Sequence, residues 1–378
     1  MKKRLLAVLM VAAMVLALTA CGESSSSSST AAASTAKSEA AATETADAGD
    51  YPTADNPITI KMANFVTEED SLGQIYTFAA EKLEELSGGA IKCELYFNGT
   101  VLGFGDMFTG VAEGTADIGL VGMAIMDSNT DLNQIFSALR KGGMPDDDEV
   151  INECYWKACE AIPAIDEELA SKGIVRVGFQ AFAGADTVLG STSPITTADA
   201  LKGQIIQSSQ SQPGKLFTAL GGSAVSMEVS DYYNSLDRGV TNGVYDTWSS
   251  FDAQKLAELC TDYTQFGNGG LSAGAMSVVM NLNTFNKLSA EQQQMVYDAF
   301  EYGIHEALAA YDAQIDNAKA LAAEKNANIV TLEGDDLEPF YSAIDEINEE
   351  WFTTLENAGY ADIREYYDTI GQILADAM

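Results

Sequence analysis

Between Leu201 and Trp248 the chain alternates short apolar runs with helix-like segments, and the turns between them are crowded with small polar residues. A strand, helix, strand, helix, strand series of this kind builds a parallel sheet, and it constrains the fold more than any other stretch. Ligands bind such sheets at the carboxyl ends of the strands. Gln207, Asp246 and Trp248 stand at those ends and are the first candidates for a binding site.

The rest of the chain reads in the same terms. Ile58 to Ala63 alternates as a strand, and a helix from about Ser71 to Ser87 carries Leu72, Ile75, Ala79, Leu83 and Leu86 on one face before Gly88-Gly89 stops it. Ile91, Cys93, Leu95 and Phe97 alternate as a second strand. A short helix around 106–113 and a third strand at 117–121 complete a βαβαβ series with right-handed crossovers. A long amphipathic helix follows, buried through Ile151, Cys154, Tyr155, Ala158, Ile162, Ile165 and Leu169, and Pro163 breaks it near Ile162. The strand 174–182 leads into Gly184-Ala185-Asp186. Beyond Trp248 the pattern gives a helix at 251–259, a small-residue strand at 271–280, helices over 288–325, 335–355 and 362–377, and an extended stretch at 328–332.

The expected fold class is therefore α/β: two lobes, each an open sheet flanked by helices, with a helical C-terminal tail. The chain is expected to cross between lobes at Phe182 and again within Gly267 to Gly274. This assigns 56–181 plus 268–310 to lobe I and 182–267 plus 311–378 to lobe II. Paired crossings form hinges, which suits closure around a ligand.

At the N-terminus Lys2, Lys3 and Arg4 precede an apolar run from Leu5 to Leu18, and Leu18-Thr19-Ala20-Cys21 follows. This reads as a signal peptide over 1–20 with a bacterial lipobox, in which Cys21 is diacylated; two acyl chains anchor a protein stably. Residues 21–55 read as a lipidated, flexible Ser/Ala-rich tether, too poor in large aliphatics to offset its ordering entropy. The location expected is the outer face of the cytoplasmic membrane. The chain holds 20 Lys and Arg, and three of them precede the cleavage site. The mature chain thus has 17 against 56 Asp and Glu, a formal charge of 17 − 56 = −39. Such a surface repels nucleic acid and anionic headgroups. Cys93, Cys154, Cys159 and Cys260 lack CxxC spacing and His305 stands alone, so neither a metal site nor a cofactor is expected. Cys154 and Cys159 read as buried hydrophobes rather than a disulfide.

These residues resemble the solute-binding proteins of tripartite ATP-independent periplasmic (TRAP) transporters, the dicarboxylate- and sialate-binding type. LKGQIIQSSQ (201–210), MEVSDYYNSLDRGVTNGVYDT (227–247), LSGGAIKCELYFNGTVLGFGDMFTGVAEGTADIGLV (86–121) and NTFNKLSAEQQQMVYDAF (283–300) are similar to family segments in the same order. The resemblance spans roughly Asn56 to Ala375. It implies a two-lobed periplasmic-binding-protein-like fold and a monomeric, non-catalytic protein that captures a small organic solute between two lobes and delivers it to an ion-gradient-driven membrane permease.

It also implies site positions. The family arginine that pairs with a ligand carboxylate falls on Gln207, a second basic position on Asp186, an asparagine on Asp246, and a first-lobe polar position on Asn64 or Phe65. Trp248, Phe182 and Tyr245 would add aromatic packing. An amide cannot replace the planar charge of arginine, and buried like charges are costly, so a simple carboxylate is an unsuitable ligand and a neutral or cationic one is expected. Bland readings stand beside these: Trp248 as lobe packing, Asp186 as a turn residue, Tyr232 and Tyr233 as core, and Arg140-Lys141 as an exposed basic pair. Two other functions compete. A secreted enzyme lacks a Gly-x-Ser-x-Gly elbow and a phosphate-cradling loop here; a binding protein serving an ATP-driven importer or a sensor differs only in its membrane partner.

Overall fold

The structure is a computed structural model that describes residues 51–378 apart from Ser209 and Asn268. The signal peptide, Cys21 and most of the tether lie outside the described residues.

The first sheet begins with the series read from the sequence. Strand β1 (Ile58–Ala63), helix α1 (Ser71–Leu86), strand β2 (Ile91–Tyr96), helix α2 (Met107–Ala112) and strand β3 (Ile118–Val121) follow one another, and β1 pairs in parallel with both β2 and β3. Helix α3 (Met123–Asn129) follows β3. Helix α4 (Asp148–Ala161) ends before Pro163 and α5 (Ala164–Ser171) restarts beyond it. Strand β4 (Ile174–Phe182) closes this sheet on its far edge.

The second sheet comprises β5 (Thr187–Ser191), β6 (Ile205–Ser208), helix α6 (Ser211–Ala219), β7 (Ser223–Val225), helix α7 (Tyr232–Asp237), β8 (Gly243–Thr247), helix α8 (Trp248–Ala253) and β9 (Asp262–Phe266). As the alternation predicts, β6 runs parallel to β7 and to β8. Strands β5 and β9 were not expected from the sequence. The helix expected over 251–259 is also corrected: Lys255 adopts a left-handed conformation (φ 56°), so α8 stops and a separate 3-10 turn covers 256–258.

The chain then returns to the first sheet as β10 (Gly274–Asn281), continues through α9 (Leu282–Phe285) and the 35-residue α10 (Ala290–Glu324), and adds β11 (Asn328–Leu332) beside β9. The sheets have the orders β2-β1-β3-β10-β4 and β11-β9-β5-β8-β6-β7. Each contains one reversed strand, and it is the strand that has just arrived from the other sheet: β10 is antiparallel to β3 and β4, and β5 to β8 and β9. Parallel strands that all point at the gap between the sheets impose this. A chain leaving one sheet at the gap enters the next running away from it.

Three connections therefore bridge the sheets: 183–186, 267–273 and α10. The first half of α10 buries Phe300 and Ile304 with α1 and the first sheet, while its second half buries Tyr311, Ile315 and Ala318 with Trp248 and Phe251 of α8. The helical tail, expected with the second lobe, divides. The start of α11 (Glu338–Ala358) places Phe340 and Ile344 in the core of the second sheet. Its end, with Trp351, Phe352 and Leu355, joins α12 (Ile363–Ala375) against α4.

Candidate functional site

A cavity of about 40 Å³ lies between the two sheets, room for about three waters at the ~10–15 Å³ each requires. Its walls come from the carboxyl ends of β1, β3, β6 and β8 and from α10, which is where an open α/β sheet places its ligand. The first side supplies Phe65, Asp70, Ser71, Phe104, Met123 and Met276. The other supplies Phe182, Gln210, Tyr232, Asp246, Thr247, Ser250, Gln254 and Gln314.

Asp70 is the N-cap of α1, and its Oδ1 accepts a hydrogen bond from the Leu72 amide at 2.9 Å. Burial pushes this carboxyl up to about 6, with the Leu72 amide and the Gln314 side chain opposing the shift. Asp246 ends β8 and is 8% exposed. Its Oδ1 accepts from the Thr247 amide at 2.8 Å and from Ser250 Oγ at 3.0 Å, which joins the strand to the start of α8. Gln210 is buried and accepts from Ser272 Oγ at 3.0 Å, linking the second sheet to the crossing before β10. The Phe65 and Phe104 rings meet edge to face at 5.0 Å. No Arg, Lys or His lines the cavity among the described residues.

Of the residues singled out in the sequence, the fold brings Phe65, Phe182 and Asp246 to this cavity. The others lie elsewhere. Asn64 is buried with its amide engaged locally, donating to the Leu72 carbonyl at 2.9 Å and accepting from the Val66 amide at 3.2 Å. Asp186 turns toward α10, 4.0 Å from Lys319 Nζ, and burial raises its carboxyl above the usual range. Tyr245 is fully buried against Phe217 and Phe266, its hydroxyl 3.1 Å from Thr187 Oγ1. Trp248 stacks on Tyr263 at 4.6 Å inside the core under α10, in keeping with the bland reading. Gln207 is completely buried close to the Tyr232 hydroxyl, and neither its amide nor that hydroxyl has a well-formed hydrogen-bond partner among the described residues.

Tyr232, read from the sequence as core, is buried in the core under α10 and also lines the cavity. Arg140 and Lys141 do not reach it. Arg140 is buried, not exposed, lying 4.2 Å over the Tyr367 ring and donating to the Tyr367 carbonyl, whereas Lys141 pairs with Asp345 at 2.5 Å. Asp70, Phe104, Gln210 and Gln314 were missed. The rule that found Asp246 would have found Asp70, since it follows a parallel strand and opens a helix. Gln314 sits inside a continuous helix, where no local pattern marks it.

The sequence matches the family described as bacterial extracellular solute-binding protein, family 7 (DctP), over residues 62–354. The chain belongs to this family. Curated relatives are an uncharacterized protein, YiiZ, of Salmonella typhimurium, 26% identical over 71% of this chain and 80% of its own length, and a solute-binding protein of Albidiferax ferrireducens, 24% identical over 63% and 67%. Among solved structures, a TRAP solute-binding protein from Rhodoferax ferrireducens in complex with copurified benzoate superposes with a TM-score of 0.73 at 18% identity, covering 85% of this chain and 98% of that one. A TRAP periplasmic solute-binding protein from Pseudomonas aeruginosa with bound L-malate gives 0.66 at 18% identity, covering 78% and 100%. Family 7 proteins are extracellular, transport-associated binding proteins, and the fold is that of the TRAP members. In this family 7 chain the two positions that the resemblance pairs with basic residues hold Asp186 and Gln207, and both stand behind the cavity wall. No helix among the described residues is long and apolar enough to cross a membrane.

Proposed function

We propose that this chain is the solute-capturing component of a TRAP-type importer and that its ligand is not a simple carboxylate. One observation carries the reading: a cavity sits where the strand ends of both sheets meet, beside the crossings of a two-sheet fold whose family binds extracellular solutes. Closure is the mechanism. The ligand touches Phe65 and Asp70 from one side and Phe182 and Asp246 from the other, so it stabilises the closed form by contacts that the open form lacks. The closed surface then docks on the membrane permease. The export signal fits the same role: cleavage before Cys21, diacylation of that residue, and a tether through residue 55 hold a monomer at the outer face of the cytoplasmic membrane without catalysis.

Among the described residues no basic side chain lines the cavity, which argues against a carboxylate, since that needs a paired cation when desolvated. Native mass spectrometry of the purified protein identifies a carried-over ligand, and small-angle scattering before and after its removal measures closure. We expect a smaller radius of gyration with ligand. An unchanged radius at saturating ligand overturns the closure mechanism.

A further inference from the structure

The cavity's chemistry goes further than the exclusion of carboxylates. Resting on the solute-capture reading above, we propose that the cleft takes an organic cation, its ammonium group held between Asp70 and Asp246 with the Tyr232 hydroxyl accepting from it, and its apolar body against Phe65, Phe104 and Phe182.

Several independent features of the wall converge on a positive ligand. Two carboxylate residues from opposite sides of the cleft line one small volume with no basic residue on its wall among the described residues. A helix N-terminus that could face a ligand anion, that of α1, is already occupied by the protein's own Asp70. Tyr232 is 2% exposed and lines the cavity, and its hydroxyl, beside the equally buried Gln207 amide, has no well-formed partner among the described residues, which leaves it able to accept from a ligand in a dry place. Gln210, Gln254, Gln314 and several Ser and Thr hydroxyls add neutral polar groups, and the apolar part of the wall combines aromatic rings, the thioethers of Met123 and Met276, and aliphatic side chains. Phenyl faces and soft sulfur accept an alkylammonium well and a carboxylate poorly. Each acid also retains hydrogen bonds within the protein, which fixes its orientation before any ligand arrives.

The surroundings set the sign of a pH effect. Tyr232 faces the acids from α7, Glu228 lies ahead of it with Oε1 3.6 Å from where a Cβ on Gly105 would stand, and Gln314 faces Asp70 from α10. Behind the wall Asp148 and Asp186 face Tyr311, and Lys319 with Asp312 faces Asp186. With Asp70 titrating at about 6, a cation needs the ionised carboxylate and binds more tightly as pH rises from about 5.5 to 7.5, whereas an anion needs the protonated form and binds less tightly over that range.

The test uses two matched sets of probes, benzylamine, benzyl alcohol and benzoate, and isoamylamine, isoamyl alcohol and isovalerate, titrated calorimetrically into the mature chain with scattering measured in parallel. We expect the amine of at least one set to bind at least about tenfold more tightly than its alcohol and its acid, and to gain affinity with pH. Asp70→Asn and Asp246→Asn, which keep capping and accepting ability, should each weaken the amine at least about tenfold. Circular dichroism and urea unfolding of each variant show that it folds. An acid that binds tightest in either set and compacts the protein overturns the cation assignment while solute capture stands. Amine binding that is unmoved in both Asn variants, or that falls with pH, overturns it too. No response to any of the six also overturns the assignment, and the wider reading then answers to its own scattering experiment.

Discussion

At the scale of single residues, buried acids decide how this molecule responds to pH. Asp148, at the start of α4, is 8% exposed and accepts from the Ala183 amide at 2.6 Å, which ties the helix to the first crossing between sheets. Burial, with Asp186, Asp147 and Asp312 nearby, pushes it up to about 7. A carboxyl whose folded value lies above its unfolded value of about 3.9 is protonated more readily when folded. Its contribution is present at low pH and is lost as pH rises through about 7. Asp148→Asn should therefore raise the unfolding free energy at about pH 8 by roughly 1 kcal/mol and flatten the gain in stability between about pH 8 and 6. Urea unfolding at both values checks this, and an equal loss at both would show that the carboxyl stabilises the fold without titrating in this range. The sequence marked none of this. Asp148 belongs to a run of acids in which only the fold decides which one is desolvated, just as it decides that Trp248 packs in the core while Phe65 meets the cavity.

At the scale of elements, periodicity found the long helices α1, α4, α5, α10, α11 and α12, because an apolar stripe at helical spacing is a local property, whereas the short α3 and α9 carry too little stripe to show. The break at Pro163 was legible for the same reason: proline lacks the amide that the helix would need. The left-handed Lys255 and the strands β5 and β9 were not legible. A non-glycine residue at positive φ carries no pattern of its own, and β5 and β9 are strands only because each finds partners on both sides. The close crossing of α10 over α1 is another tertiary feature. A Cβ on Gly303 would stand 2.5 Å from the Ile75 carbonyl oxygen and 3.0 Å from the Ala79 amide nitrogen, so backbone approaches backbone there. Gly303→Ala should cost about 1–3 kcal/mol because the helices must separate, despite alanine's better helix propensity. Denaturant unfolding measures it, and a stabilised variant would mean that the helices have room to move.

At the scale of the whole molecule, the two strand crossings touch. A Cβ on Gly270, which sits at φ +83°, would meet the carbonyl of Gly184, and one on Gly184 would meet that of Gly269, so the hinge strands pass in direct backbone contact. Gly270→Ala strains φ and forces the crossings apart. We expect it to destabilise the chain by about 1–3 kcal/mol and to reduce the change in radius of gyration on ligand binding; full compaction in this variant would remove the crossings from the hinge. By itself the sequence determined the α/β class, the parallel strand series, the family, and the strand ends at which a ligand must sit, because these follow from alternation, helical spacing and turn chemistry along short stretches of chain. Only the tertiary structure decided which residues at those ends face the gap. Asp70, Tyr232, Asp246 and Gln314 are far apart in sequence, and they share a cavity because two sheets and a helix that spans both bring them together. Asn64, Gln207, Tyr245 and Trp248, read from the same strand ends, turn instead into the loops and cores that hold those walls in place.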